Sequence, residues 1–149
     1  MPKTLEPIVI RGALPKQAVK PAVGASPWPR RKATADIRND WALLGLKSEG
    51  KDMNYERFHI VYRYCPPSQS WSSSKGKLMK QTEKPYCPVD RDNARAAAKP
   101  AIDGLRDAGV IADDRAKNVL TDNVEWLPKP QTGMGFLEIV IIPVVEDES

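Results

Sequence analysis

Arg57-Phe58-His59-Ile60-Val61-Tyr62-Arg63-Tyr64 alternates without a break. Phe58, Ile60, Tyr62 and Tyr64 fall on one side of an extended chain and Arg57, His59, Val61 and Arg63 on the other, which predicts a strand with one buried face, stopped by Pro66-Pro67. Downstream, the stripe Ala94, Ala97, Ala98, Ala101, Ile102, Leu105 and Ala108 predicts a helix from Val89 to Ala108, closed by Gly109. Pro100 lies within it and predicts a kink or a restart. The last third reads as a hairpin. One strand covers Val119 to Leu127, Pro128 to Gly135 make the turn, and Phe136 to Val145 carry the near-continuous apolar run Ile139 to Ile142 of a central strand. Upstream, Ile37, Trp41, Leu44 and, less regularly, Leu43 and Leu46 predict a helix from Ala33 to Lys47, with Gly50 just beyond its end. Six of the fourteen prolines fall in the first 29 residues, leaving room for little more than a short strand around Ile8-Val9-Ile10. The outline is α+β: a small mixed sheet with helices packed on one face.

At 149 residues the chain has the length of one domain, 1–149. Within it lie a Pro-rich basic segment (1–32), a Lys/Ser-rich connection (66–86) and an acidic tail (146–149). A connection that long inside a small domain is usually functional or disordered. No apolar run approaches the roughly 20 residues needed to span a bilayer, and the first residues lack the basic flank and apolar stretch of a signal peptide. The expectation is a soluble cytosolic domain without a membrane partner. One His and two Cys cannot build a four-ligand Cys/His zinc site. Cys65 and Cys87 are expected as free thiols.

Charge is unevenly spread. Residues 1–87 carry a net +9 and residues 88–149 a net −5, which together give the chain's +4. A basic section beside an acidic one suits a polyanion partner combined with a cation site, although an ordinary charged surface with an acidic tail gives the same figures. No phosphate-cradling loop and no H-E-x-x-H is present. The acids that stand out are Asp90-Arg91-Asp92-Asn93 before the second helix and Asp113-Asp114 after it. In an extended segment Asp90 and Asp92 point the same way. Clustered carboxylates repel unless a divalent cation sits between them, and Mg²⁺ takes such oxygen ligands. Both pairs also precede plausible helix starts, where Asp is a favoured cap, and spacing alone favours capping. Lys99, two helical turns after Asp92, shares its face. It can steady phosphate charge or simply pair with Asp103. Of the four tryptophans, Trp41 reads as core, and Trp71 has the context of a base-stacking residue.

The run Asp90-Arg91-Asp92-Asn93, then Lys99-Pro100-Ala101-Ile102-Asp103-Gly104-Leu105, then Ala108-Gly109-Val110-Ile111-Ala112-Asp113-Asp114 resembles the RusA family of Holliday-junction resolvases, whose pattern is D-x-D-N, a lysine, an apolar helix with D-x-L, then A-G and D-D. The resemblance is specific over residues 90–114 and weak over 1–50. Asp92 to Lys99 is three residues longer than in the best-known members, close to one helical turn. The connection at 66–86 is also longer, and the family's proline-rich N-terminal motif is echoed only by Pro27-Trp28-Pro29.

The resemblance implies a homodimeric, Mg²⁺-dependent endonuclease (with Mn²⁺ as substitute) that resolves four-way DNA junctions by paired nicks in a bacterial or phage-infected cytosol. Carried over by position, Asp90, Asp92 and Asp114 are the essential carboxylates and metal ligands, Asp113 the neighbouring acid and a further metal ligand, and Lys99 the catalytic lysine. Arg30, Arg31, Lys32, Lys75, Lys77 and Lys80 are expected to grip the DNA backbone. The alternatives are a nuclease of the same chemistry acting on forks or flaps, and a non-catalytic DNA-binding protein of the same fold.

Overall fold

Among the described residues, five strands and two long helices form the framework: β1 (Pro2–Thr4), β2 (Ile8–Gly12), α1 (Trp28–Leu46), β3 (Phe58–Cys65), α2 (Arg91–Asp107), β4 (Val119–Trp126) and β5 (Phe136–Glu146). The computed structural model describes residues 2–20, 26–71 and 78–146. Within the sheet β3 and β5 run antiparallel at the centre, with Ile60 beside Ile141 and Tyr62 beside Ile139. The far edge of β5 takes β2 against residues 137–141 and β1 against residues 144–146. On the other side of β3, β4 runs parallel to it, Tyr62 beside Val124. A parallel pair needs a long crossover, and α2 supplies it. The fold is α+β with a mixed sheet.

This topology corrects the hairpin expected for the last third. β4 and β5 are not paired, because β3 lies between them. The segment from Pro128 to Gly135 steps over the exit of β3 instead of making a tight turn. The Leu127 N–H donates to the Tyr64 carbonyl (2.8 Å) and the Ser68 N–H to the Gly133 carbonyl (2.9 Å). With strands about 4.8 Å apart, eight residues reach easily across one intervening strand.

The alternation in β3 has the predicted result: Phe58, Ile60, Tyr62 and Tyr64 are buried, and they share one core with Leu137, Ile139 and Ile141 of β5, Ile37 and Trp41 of α1, and the alanine stripe of α2. On the opposite sheet face Arg11, Glu138, Arg63 and Glu125 form a ladder across four strands. Glu138 is nearly buried because one carboxylate oxygen accepts from Arg11 (3.0 Å) and the other from Arg63 (3.2 Å).

Helix α1 starts at Trp28, earlier than its apolar spacing indicates. Pro27 occupies the position before it without a capping bond, and Pro29 sits in its first turn, where the missing N–H costs nothing. Leu43 and Leu46, the irregular members of its stripe, are exposed. Helix α2 neither breaks nor restarts at Pro100. The proline removes one bond, to the carbonyl of Ala96, which lies on the exposed face. The helix ends in a Schellman motif. Gly109 takes φ +74°, its N–H donates to the Arg106 carbonyl, and the Val110 N–H donates to the Leu105 carbonyl (both 3.0 Å).

Small residues let the two helices approach closely. A Cβ on Gly104 would stand 2.4 Å from the Arg38 carbonyl oxygen and 2.8 Å from the Ala42 nitrogen. A forked pair between the Arg38 guanidinium and the Asp107 carboxylate (2.6 and 2.8 Å) ties the same helices at their rim. Cys65 is buried, Cys87 half-buried, and both are free thiols. No helix among the described residues is long and apolar enough to cross a membrane.

Candidate functional site

Asp90 caps α2. Its backbone is extended (φ −127°, ψ 160°), one carboxylate oxygen accepts from the Asn93 N–H (2.9 Å), and the other accepts from the Asn93 side-chain amide (2.7 Å). Because the helix begins at Arg91, Asp92 already lies inside it, so the extended alternation expected to align Asp90 with Asp92 does not apply. The Asp92 side chain is 99% exposed, and its nearest cation, Arg95, stands 3.9 Å away.

Two turns further along α2, the Lys99 ammonium donates to Asp103 (2.9 Å) and to Asp114. Burial is the strongest influence on this amine and favours its neutral form. The bonds to Asp114 and Asp103 together outweigh it, so the pKa is raised and Lys99 stays charged.

Asp114 reaches Lys99 because the chain after α2 folds back on a backbone bridge to Tyr55. The Tyr55 N–H donates to the Val110 carbonyl (3.1 Å) and the Ala112 N–H to the Tyr55 carbonyl (2.9 Å). Val110 and Ile111, fully buried, anchor this return. Asp113 accepts from the Asp114 N–H (2.8 Å) and from Arg106 (3.4 Å), and pairs with Arg115 (2.9 Å). The backbone N–H of Asp114, foremost, holds the Asp113 carboxyl below the usual carboxylate range.

The structure therefore brings Lys99 to Asp114. Asp90 remains a helix cap, Asp92 stands in solvent at the first turn of α2, and Asp113 belongs to the arginine cluster beside Asp114. Among the described residues no three His, Cys, Asp or Glu side chains gather as metal ligands. The oxygen donors suit Mg²⁺ in kind. In this arrangement Asp90 is committed to Asn93 and Asp114 to Lys99.

A cleft of about 390 Å³ opens between α2 and β4, lined by Tyr62, Arg95, Lys99, Asp114 and Asp122 among others. The sequence reading does not single out Tyr62, Arg95 or Asp122 as site residues. Arg95 lies one turn before Lys99 on the same helix face, a spacing visible in the sequence. Its side chain pairs with Asp122 (3.2 Å) and donates to the Asp122 carbonyl (3.2 Å). Asp122 occupies an inward position of β4, in register with Ile60. A charged residue at a position that alternation assigns to the core is the signal that could have found it. Tyr62 reads from the sequence only as core.

The residues expected to hold DNA lie elsewhere. Arg30, Arg31 and Lys32 occupy the exposed first turns of α1, beside the exposed Trp28, and Lys32 pairs with Asp36 (3.1 Å). Lys80 is exposed at the end of the long connection. Lys75 and Lys77 lie outside the described residues. Trp71 is half-buried, and the Trp126 indole donates to the Pro88 carbonyl (2.7 Å). No family model matches the chain, and no curated protein matches it.

Proposed function

We propose that the chain is a RusA-like, metal-dependent endodeoxyribonuclease that cuts four-way DNA junctions as a homodimer. The observation that carries this reading is the contact of Lys99 with Asp114, which joins two separate elements of the motif, 15 residues apart in sequence, at one cleft. A solvated carboxylate at Asp92 and a cleft with cations on its walls are what phosphodiester hydrolysis requires of a protein surface: acids to hold a hydrated divalent ion, and fixed positive charge where the phosphate gains negative charge. Bound Mg²⁺, held by Asp92, by the Asp114 oxygen that Lys99 leaves free and, once released from Asn93, by Asp90, would supply an activated water. Lys99 uses two of its three donors on Asp103 and Asp114 and keeps one for a phosphate oxygen. Asp114 holds Lys99 at the cleft. Arg30, Arg31, Lys32 and Lys80, with Lys75 and Lys77, would track the DNA backbone, which fixes position without reading sequence and suits an enzyme that recognises branch shape.

The second reading is a DNA-binding protein of the same fold without the reaction. It is favoured by the commitment of both Asp90 oxygens to Asn93. Incubating the chain with labelled four-way junctions, forks and flaps, with and without Mg²⁺ or Mn²⁺, separates the readings. The nuclease nicks junctions in opposite strands only with the ion. A pure binder shifts the junction without cutting it, and preference for forks or flaps moves the substrate and keeps the chemistry.

A further inference from the structure

The cleft carries hydrogen-bond donors that no protein group takes up. Tyr62 is 6% exposed and lines the cleft, and its hydroxyl makes no hydrogen bond among the described residues. Its neighbour on the same strand face, Tyr64, gives its hydroxyl to the Ala94 carbonyl (2.5 Å). Most of the side chain is buried, and the hydroxyl lies at the cleft wall with no protein partner, so it is free to donate to a ligand there. Burial, then the charges of Asp122 and Asp114, raise the Tyr62 phenol well above its ordinary value, so it remains a donor at every ordinary pH.

Arg95 has donors to spare as well. Its Nε is buried and, although 3.2 Å from Asp122, has no aligned partner, while its Nη1 is 3.9 Å from Asp92, beyond hydrogen-bonding reach. Lys99 keeps its third donor. Each acid of the cleft is charge-paired: Asp114 accepts from Lys99 and is approached by Arg106 (3.6 Å), and the Asp122 carboxylate forms an ion pair with Arg95. Hydroxyl and cationic donors that converge on one cleft, with each carboxylate already charge-paired, suit an anion.

We propose that the Tyr62 hydroxyl and the Arg95 guanidinium hydrogen-bond the non-bridging oxygens of a nucleic-acid phosphate seated in this cleft, with Asp122 as the positioning residue that holds Arg95. The inference rests on the nuclease reading for the identity of that phosphate as the one cut.

The test uses the full chain and thymidine 3′,5′-bisphosphate as probe, measured by calorimetry at fixed salt without metal, together with melting temperature and junction cleavage. The parent binds the probe. Tyr62→Phe loses one bond to a charged group, about tenfold in affinity, with a melting temperature unchanged or raised because an unpaired hydroxyl has gone. Arg95→Met loses at least as much. Asp122→Asn weakens binding in the parent and adds little in the Arg95→Met background, the non-additivity of residues acting through one group. A parent that ignores the probe, or a Tyr62→Phe protein that binds it as well as the parent, overturns the proposal. So does a Tyr62→Phe melting temperature several degrees lower, which would show that the hydroxyl has a structural partner. If the variants lose the probe while the parent cuts no DNA, the phosphate site stands and the nuclease reading falls. If the parent cuts and Tyr62→Phe binds and cuts equally well, the reverse holds.

Discussion

Asp90 and Asp92 stand two positions apart in one motif, yet physics gives them different work. Asp90 satisfies an N–H that helix geometry would leave orphaned, so Asp90→Ala should cost about 1 kcal/mol in chemical denaturation, while Asp90→Asn, which keeps the accepting oxygen, should cost a few tenths. Equal losses in the two variants would mean that the carboxylate charge, not the cap, matters to the fold. Capping at Asp90 was legible from residue type and position alone. The roles of Tyr62 and Asp122 were not. Alternation places Tyr62 on the buried side but cannot say that its hydroxyl lacks a partner, because that depends on which residues α2 and β4 bring opposite it.

The elements themselves read well where one periodicity dominates. The alanine stripe of α2 and the alternation of β3 each specify a face, and both faces are buried as expected. Pairing of strands was less legible. β4 and β5 are adjacent in sequence and separated by turn residues, which favours a hairpin, but β3 has one fully apolar face and pairs along both edges. A strand's second neighbour is a tertiary choice that local pattern does not encode.

The α1–α2 contact gives the sharpest prediction at this scale. In an exposed helix Gly→Ala gains about 1 kcal/mol. At Gly104 the new methyl meets backbone atoms of α1 that cannot step aside. Gly104→Ala should therefore destabilise by about 2–3 kcal/mol, read from urea melts. A stabilised variant would show that the helices are not packed as described.

At the scale of the whole molecule, charge at the start of α1 is placed against local stability, and the nuclease reading assigns it to the DNA backbone. Arg30, Arg31 and Lys32 crowd the first turns of α1, the end of a helix where cations are unfavourable, and no acid offsets them in its first turn. Changing all three to Gln should leave the protein as stable or slightly more so and weaken junction binding. The slope of log K against log salt should fall by up to about three, because each phosphate no longer neutralised removes about 0.9 from it. An unchanged slope would place the DNA on another surface.

Acid stability follows the depressed carboxyls. Asp107, paired with Arg38, and Asp113, bonded to the Asp114 N–H, titrate below their ordinary value of 3.8. A group whose folded pKa is lowered contributes fully above its unfolded value and loses that contribution as pH falls through the folded one. Denaturation midpoints should thus hold down to about pH 4 and drop below it, and the drop should be shallower in Asp107→Asn. An identical fall in that variant would exclude the Arg38–Asp107 pair as a source of pH dependence.

The nuclease reading meets its most direct test at Asp92. Its side chain is 99% exposed, so Asp92→Asn leaves the fold intact while removing one negative charge from the proposed metal site and from the vicinity of the DNA backbone. Parent and variant are compared on a four-way junction, affinity without metal and cleavage with Mg²⁺. The expected result is a parent that nicks and a variant that binds at least as tightly and does not nick. A parent without cleavage in either ion, or an Asp92→Asn protein that cuts at the parental rate, contradicts it.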